Sequence, residues 1–130
     1  MLVAHGSRRA SWRAPLEALR DRLAERVGET EPVRLAYLEA CPPTVAEAVA
    51  AAVASGVTRV KVLPLFISGG GHVEHDLAPQ VAALSEQHRD VTIELLPALG
   101  EHPLVLDALA LIAADHSTTP HSNHSRRSGS

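Results

Sequence analysis

The sequence predicts an α/β domain built on a single doubly wound, four-stranded parallel sheet with flanking helices. Three observations carry that expectation. Short continuous apolar runs alternate with longer stretches whose apolar residues recur every three to four positions, the mark of successive β-α units. The 130 residues suit one domain with a real core and leave no room for a second. Aromatic residues are limited to Trp12, Tyr37 and Phe66, so that core must be built from Ala, Val and Leu.

The first strand is the short stub at residues 2–4. Trp12, Leu16, Leu19, Leu23 and Val27 then repeat at helical spacing until Gly28 stops the helix. Residues 33–38 read as the second strand, ended by Pro42-Pro43. Val45, Val49 and Val53 line one face of an Ala-rich helix that closes at Gly56, a left-handed C-terminal cap. Residues 60–66 are the most continuous apolar run and read as a central strand buried on both faces. Asp76 is placed to cap a third helix carrying Leu77, Val81 and Leu84, with Pro79 tolerated in its first turn. A fourth strand covers residues 91–96, and Pro103 opens a fourth helix through about Ala114. Right-handed crossovers between such strands favour a flavodoxin-like order. Residues 1–115 form the domain. Residues 116–130 have no apolar periodicity and read as a disordered His/Ser-rich tail, whose His116, His121 and His124 are at most loose metal collectors.

Several function classes fall away. The net charge is −3, with no long basic run and no interleaved aromatics, so no nucleic-acid partner is expected. Cys41 is the one cysteine, which excludes an internal disulfide and fits a reducing cytoplasm. The apolar runs fall well short of the roughly 20 residues that span a bilayer. Nor does the amino terminus carry the charged and apolar regions of a signal peptide. A cytoplasmic domain with no membrane partner is the expectation.

In an open α/β sheet, ligands bind in the crevice outside the carboxyl ends of the strands. Four loops deliver chemistry to that edge: His5 after the first strand, Glu39 after the second, His72 after the third, and Glu101 with His102 after the fourth. His5 and His72 sit in glycine loops, where an imidazole is placed to bind a metal or move a proton. Two imidazoles and a carboxylate suit a borderline divalent ion such as Fe²⁺, Co²⁺, Ni²⁺ or Zn²⁺. Without a cysteine pair or a dense carboxylate set, a closed structural zinc site or a calcium site is not expected. Gly6 and Ser7 lead into a helix N-terminus, whose amides alternatively make the His5 loop an anion-binding turn. Arg8, Arg9 and Arg13 crowd that same helix start, either as an anion site or as a solvated face. The stretch Ser68-Gly69-Gly70-Gly71 reads as a mobile loop around a ligand. Burial of Glu39 beside Leu38 and Cys41 would raise its pKa and suit it to proton transfer, although capping of the next helix is an equal alternative. Asp76 could also orient His72 through a hydrogen bond. His88 reads as a structural cation at a helix end, and Cys41 as an inert small residue.

The stretches Ala4-His5-Gly6-Ser7-Arg8, Ala36-Tyr37-Leu38-Glu39-Ala40-Cys41-Pro42, residues 63–73 through Asp76-Leu77, and Leu99-Gly100-Glu101-His102-Pro103 together resemble the small class II chelatases. That family comprises the sirohydrochlorin cobaltochelatases and ferrochelatases with their nickel-inserting relatives. The resemblance spans residues 2 to about 115, and four motifs in order are far more specific than His-Gly-Ser alone. It implies a chelatase-like fold and a lyase that inserts Co²⁺, Fe²⁺ or Ni²⁺ as substrate into sirohydrochlorin, in cobalamin or siroheme synthesis. It also implies a homodimer. His5 and His72 would be the metal pair and, with Glu39, the catalytic set. Ser7, Arg8, Arg9, Arg13, Gly70 and Gly71 would then meet the anionic macrocycle, the arginines by paired hydrogen bonds to its carboxylates. No ATP or other nucleotide is implied, since no Gly-rich loop runs into Lys-Ser or Lys-Thr.

Two rival readings remain at this point. One is a non-catalytic metal or tetrapyrrole carrier on the same fold. The other is a phosphoryl-transfer enzyme with His5 as nucleophile, for which Arg8 and Arg9 are near but no arginine precedes His5 and His72 has no role.

Overall fold

Each apolar run becomes one parallel strand in the computed structural model. It describes the chain except for Gly69 and Ser130, and except for the side chains of His72, Glu74 and residues 117–129. The strands are β1 (Leu2–Ala4), β2 (Leu35–Tyr37), β3 (Arg59–Pro64) and β4 (Thr92–Leu95). Between and after them lie α1 (Ala10–Val27), α2 (Val45–Ala54), α3 (Ala78–Gln87) and α4 (Pro103–Gly129). All strand pairs are parallel, in the order β2-β1-β3-β4. That is the flavodoxin-like order expected from right-handed crossovers.

Alternation along the strands sorts the core into two faces. Val3, Ala36, Val60 and Val62 point to the side covered by α2 and α3, where they meet Val45, Val49, Leu77, Val81 and Leu84. Leu2, Ala4, Leu35 and Tyr37 point to the other side, where Leu16 and Leu23 of α1 pack partly against them. The α2 and α3 face is the drier one. No residue of α1 is fully buried, and Trp12 and Leu19 from its expected apolar stripe are exposed.

The strands are shorter than their apolar runs because each ladder needs a partner. β1 has three residues, so β2 pairs only from Leu35 to Tyr37 and not over residues 33–38. On the other side of β1, the register is Leu2 with Leu63 and Val3 with Pro64. Helix ends follow local chemistry. Thr44 caps α2 reciprocally with Glu47: the Glu47 amide donates to Thr44 Oγ1 (3.1 Å) and the Thr44 amide to Glu47 Oε1 (2.9 Å). At the far end, Val57 and Gly56 amides donate back to the Ala52 and Val53 carbonyls with Gly56 at φ +92°, the glycine cap the sequence predicts.

Three expectations change. Asp76 does not start the third helix, because a π-helical turn at His72–Leu77 precedes α3 and places Asp76 inside a continuous helical run. Likewise Gly70 and Gly71 belong to that run and not to an open loop. α4 is drawn past its expected end near Ala114. The tail expected over residues 116–130 falls almost wholly on residues whose side chains lie outside those described.

Candidate functional site at the strand ends

The β1–β2 ladder continues beyond the strands themselves. After the Leu38 amide donates to the Ala4 carbonyl (2.9 Å), the Glu39 amide donates to the His5 carbonyl (3.0 Å). The two candidate residues are therefore neighbours across adjacent strand ends. Gly6 makes this approach feasible. It has φ +104°, and a Cβ there would overlap the Glu39 carbonyl oxygen and sit 3.1 Å from Tyr37 Cβ. The Glu39 loop is itself tightly folded, with Ala40 at φ +70° and the Cys41 amide donating to the Glu39 carbonyl (2.9 Å).

On the other side of His5 the contacts run through β3 to β4. The His5 ring packs on Phe66 with centroids 4.6 Å apart and planes tilted by 45°. Phe66 in turn accepts from the Gly100 amide (2.9 Å) through its carbonyl. Gly100 is pressed so closely on the Ile67 carbonyl that no side chain fits there. The Glu101 carboxylate accepts from the Ala98 amide (3.2 Å), and His102 Nδ1 accepts from the Leu104 amide (3.1 Å) at the start of α4. A hydrogen bond accepted at Nδ1 leaves the proton of a neutral His102 on Nε2. Both side chains are thus committed to shaping their own turn. The sequence showed Gly100 only as one letter of a motif, and nothing in it marked Phe66 as the support under His5.

The arginines divide their roles. Arg13 Nη1 donates to the Ser7 carbonyl (2.9 Å), and Ser7 Oγ accepts from the Arg9 amide (3.1 Å), so Arg13 and Ser7 brace the loop. Arg8 and Arg9 are exposed, and the Arg9 guanidinium lies 5.9 Å from the Trp12 ring centroid. No acidic residue occupies the first turn of α1, so this end of the helix is positive in both side chains and dipole.

His5 and Glu39 are both exposed. The expected burial of Glu39 beside Leu38 and Cys41 is not found, because the turn at Ala40 carries its side chain outward. The His72 side chain, the expected second metal ligand, lies outside the described residues, and its backbone opens the π-helical turn. Among the described residues, no group of three or more His, Cys, Asp or Glu side chains converges. Gly70 and Gly71 are spacious, unlike Gly6 and Gly100: a Cβ would meet Ser68 Oγ or His75 Cδ2 at an ordinary 3.6 Å. No helix among the described residues is long and apolar enough to cross a membrane.

Comparison with known proteins bears on the family and the fold. Residues 1–115 match the family model described as CbiX. The sirohydrochlorin cobaltochelatase of Methanopyrus kandleri is 37% identical over 90 residues, which are 69% of this chain and 62% of that protein. That of Methanosarcina acetivorans is 26% identical over 115 residues, 82% of this chain and 87% of that protein. The chain thus spans a little under two thirds of the first relative and most of the second. Among solved structures, a CbiX protein assigned to cobalamin biosynthesis in Marinobacter aquaeolei superposes with a TM-score of 0.72 at 32% identity, covering 88% of this chain and 92% of that one. The cobalt complex of the sirohydrochlorin chelatase SirB from Bacillus subtilis shares the fold, with a TM-score of 0.74 at 23% identity and 48% of its length covered.

Proposed function

The chain belongs to the CbiX family, and from that premise we propose that it is a sirohydrochlorin chelatase of cobalamin or siroheme biosynthesis. It exchanges the two inner pyrrole protons of the macrocycle for one Co²⁺ or Fe²⁺ taken as substrate. The observation that carries this reading is the joining of the His5 and Glu39 loops by the 3.0 Å hydrogen bond and the Gly6 approach. The proposed exchange needs a metal-binding imidazole and a proton-accepting carboxylate at one edge, and the backbone hydrogen bond between these two loops supports that pairing.

In this reading neutral His5, steadied on Phe66, holds the incoming ion with His72 as its partner ligand. Two imidazoles leave open positions, through which pyrrole nitrogens replace water on the metal. Glu39, exposed to solvent, accepts pyrrole protons and passes them to bulk water. Arg8 and Arg9 meet the peripheral carboxylates, with Ser7 and Arg13 bracing their loop and Gly70 and Gly71 bounding the far side. The exchange is balanced without ATP.

We also propose a homodimer in a cytoplasmic setting. Support for pairing comes from α4, where Leu104, Leu106, Leu109, Leu111 and Ile112 are all exposed, an unusual concentration for a lone soluble helix.

Anaerobic incubation with sirohydrochlorin and Co²⁺ or Fe²⁺, followed by absorbance, tests the reaction. Acceleration over the protein-free control that is lost in His5→Ala and weakened in Glu39→Gln is the expected result. Tight binding without acceleration would instead identify a carrier.

A further inference from the structure

Trp12 is exposed over 66% of its surface, an unusual cost for the chain's sole tryptophan. Its place in the fold explains what that surface faces. Trp12 and Leu16 are four residues apart and share one face of α1. Leu16 packs against the cluster of Leu2, Ala4, Leu35 and Tyr37, so this face looks at the sheet. Trp12 stands one turn nearer the start of the helix, where α1 leaves the His5 loop, and helical side chains lean towards the N-terminus. Helix geometry therefore directs the indole towards the carboxyl end of the sheet. In the loop after β3, Ile67 is exposed over 67% of its surface, next in sequence to Phe66, whose ring packs on His5. Two bare apolar groups thus belong to the same sheet edge as His5, and a guanidinium, that of Arg9, lies 5.9 Å from the indole centroid.

We infer that Trp12 is a positioning residue for the macrocycle, whose apolar ring system rests on the indole while Arg9 meets one of its carboxylates. The inference rests on the chelatase reading for the identity of the ligand. Its chemistry is complementary: a flat apolar body with an anionic rim against an aromatic wall bearing a cation. Trp12 holds the ring over His5 and takes no part in metal or proton transfer.

The test is metal-free titration of the full chain with sirohydrochlorin, followed by steady-state insertion kinetics, for the wild type, Trp12→Ala and Trp12→Phe. Trp12→Ala weakens binding and raises KM by about fivefold or more, as expected for losing one aromatic face, with kcat changed less than about twofold. Trp12→Phe recovers most of the loss, and the circular dichroism of all three coincides. Unchanged binding by Trp12→Ala in an otherwise active enzyme overturns the inference and leaves the chelatase reading standing. Wild-type protein that neither binds nor metallates the macrocycle overturns both. Loss of dimer mass in Trp12→Ala would give the indole to the subunit interface and likewise overturn the inference.

Discussion

Replacing Gly6 by alanine tests whether the two candidate loops are held together by close backbone approach. The same substitution at Gly56 supplies the control. Both glycines have positive φ, +104° and +92°, so alanine is strained at either by about 1–2 kcal/mol. The surroundings differ. At Gly56 nothing lies within 4 Å of an added Cβ, whereas at Gly6 it overlaps the Glu39 carbonyl oxygen and comes within 3.0 Å of that carbonyl carbon. Neither partner is a side chain that can swing away, so the loops must part. Parting them breaks the Glu39 to His5 hydrogen bond, whose net loss adds about 0.5–1.5 kcal/mol. We expect Gly6→Ala to cost about 1.5–3.5 kcal/mol in all. At about 4 °C per kcal/mol for a domain of this size, Tm falls by roughly 6–14 °C for Gly6→Ala and by roughly 4–8 °C for Gly56→Ala. Thermal unfolding of the full chain by circular dichroism reads both. Equal falls would refute the reasoning, because strain alone would then account for Gly6.

Three further outcomes are expected. Tyr37 is buried, and burial foremost, then the charges of Cys41 and Glu17, push its phenol above 10 against the opposing pull of Arg13 and Arg20. The folded state therefore keeps this proton after the unfolded chain has lost it, so stability holds below pH 10 and declines above it. Absorbance at the phenolate band reports this one tyrosine directly, and a midpoint at or below 10 would contradict the assignment. Thr44→Ala removes the reciprocal cap of α2 and lowers stability by about 1 kcal/mol by urea unfolding, where no loss would mean that the cap is not formed in solution. Hydrogen bonds from the Thr44 backbone and side chain hold the Glu47 carboxyl below its usual range, so its contribution is present above that range and fades as pH falls through the lowered value. Leu111→Glu, at a position exposed over 72% of its surface, leaves the monomer fold intact but halves the mass seen by light scattering. An unchanged dimer mass would show that α4 is not the pairing surface.

Much of the fold was legible because parallel strands and their crossovers leave few arrangements. Alternating periodicity gave the four strands, the helices between them and, through handedness, their order. Strand lengths were not legible in the same way, because an apolar residue such as Val33 signals burial and only a paired neighbour makes a strand. Proline and glycine signals worked where the geometry is local, as at Pro103, Gly28 and Gly56. Asp76 misled because a good capping residue caps only if the helix begins there, and the π-helical turn begins earlier at His72. The stripe on α1 was likewise only half informative. Leu16 and Leu23 meet the sheet, but Trp12, in the first turn of the helix, is exposed, and periodicity carries no information on where a sheet stops.

For the site, chain order showed which residues arrive at the strand ends and in which loops. It could not show how those loops hold one another, since that depends on backbone contacts between distant segments. Those contacts follow the sheet order β2-β1-β3-β4: Glu39 to His5, His5 to Phe66, and Phe66 to Gly100. Each link joins the loop of one strand to the loop of its neighbour. The consequence is mechanical. An exposed histidine on an isolated loop would sample many positions and bind an ion weakly. Here the His5 carbonyl is fixed on one side and its ring on the other, so in the proposed reaction little freedom is lost when a metal is bound. The two glycines that permit closest approach, Gly6 and Gly100, stand at opposite ends of this chain of contacts, and neither touches metal or macrocycle in the proposed reaction. Their requirement for glycine comes from the neighbouring carbonyls of Glu39 and Ile67, and it holds whichever divalent ion is inserted.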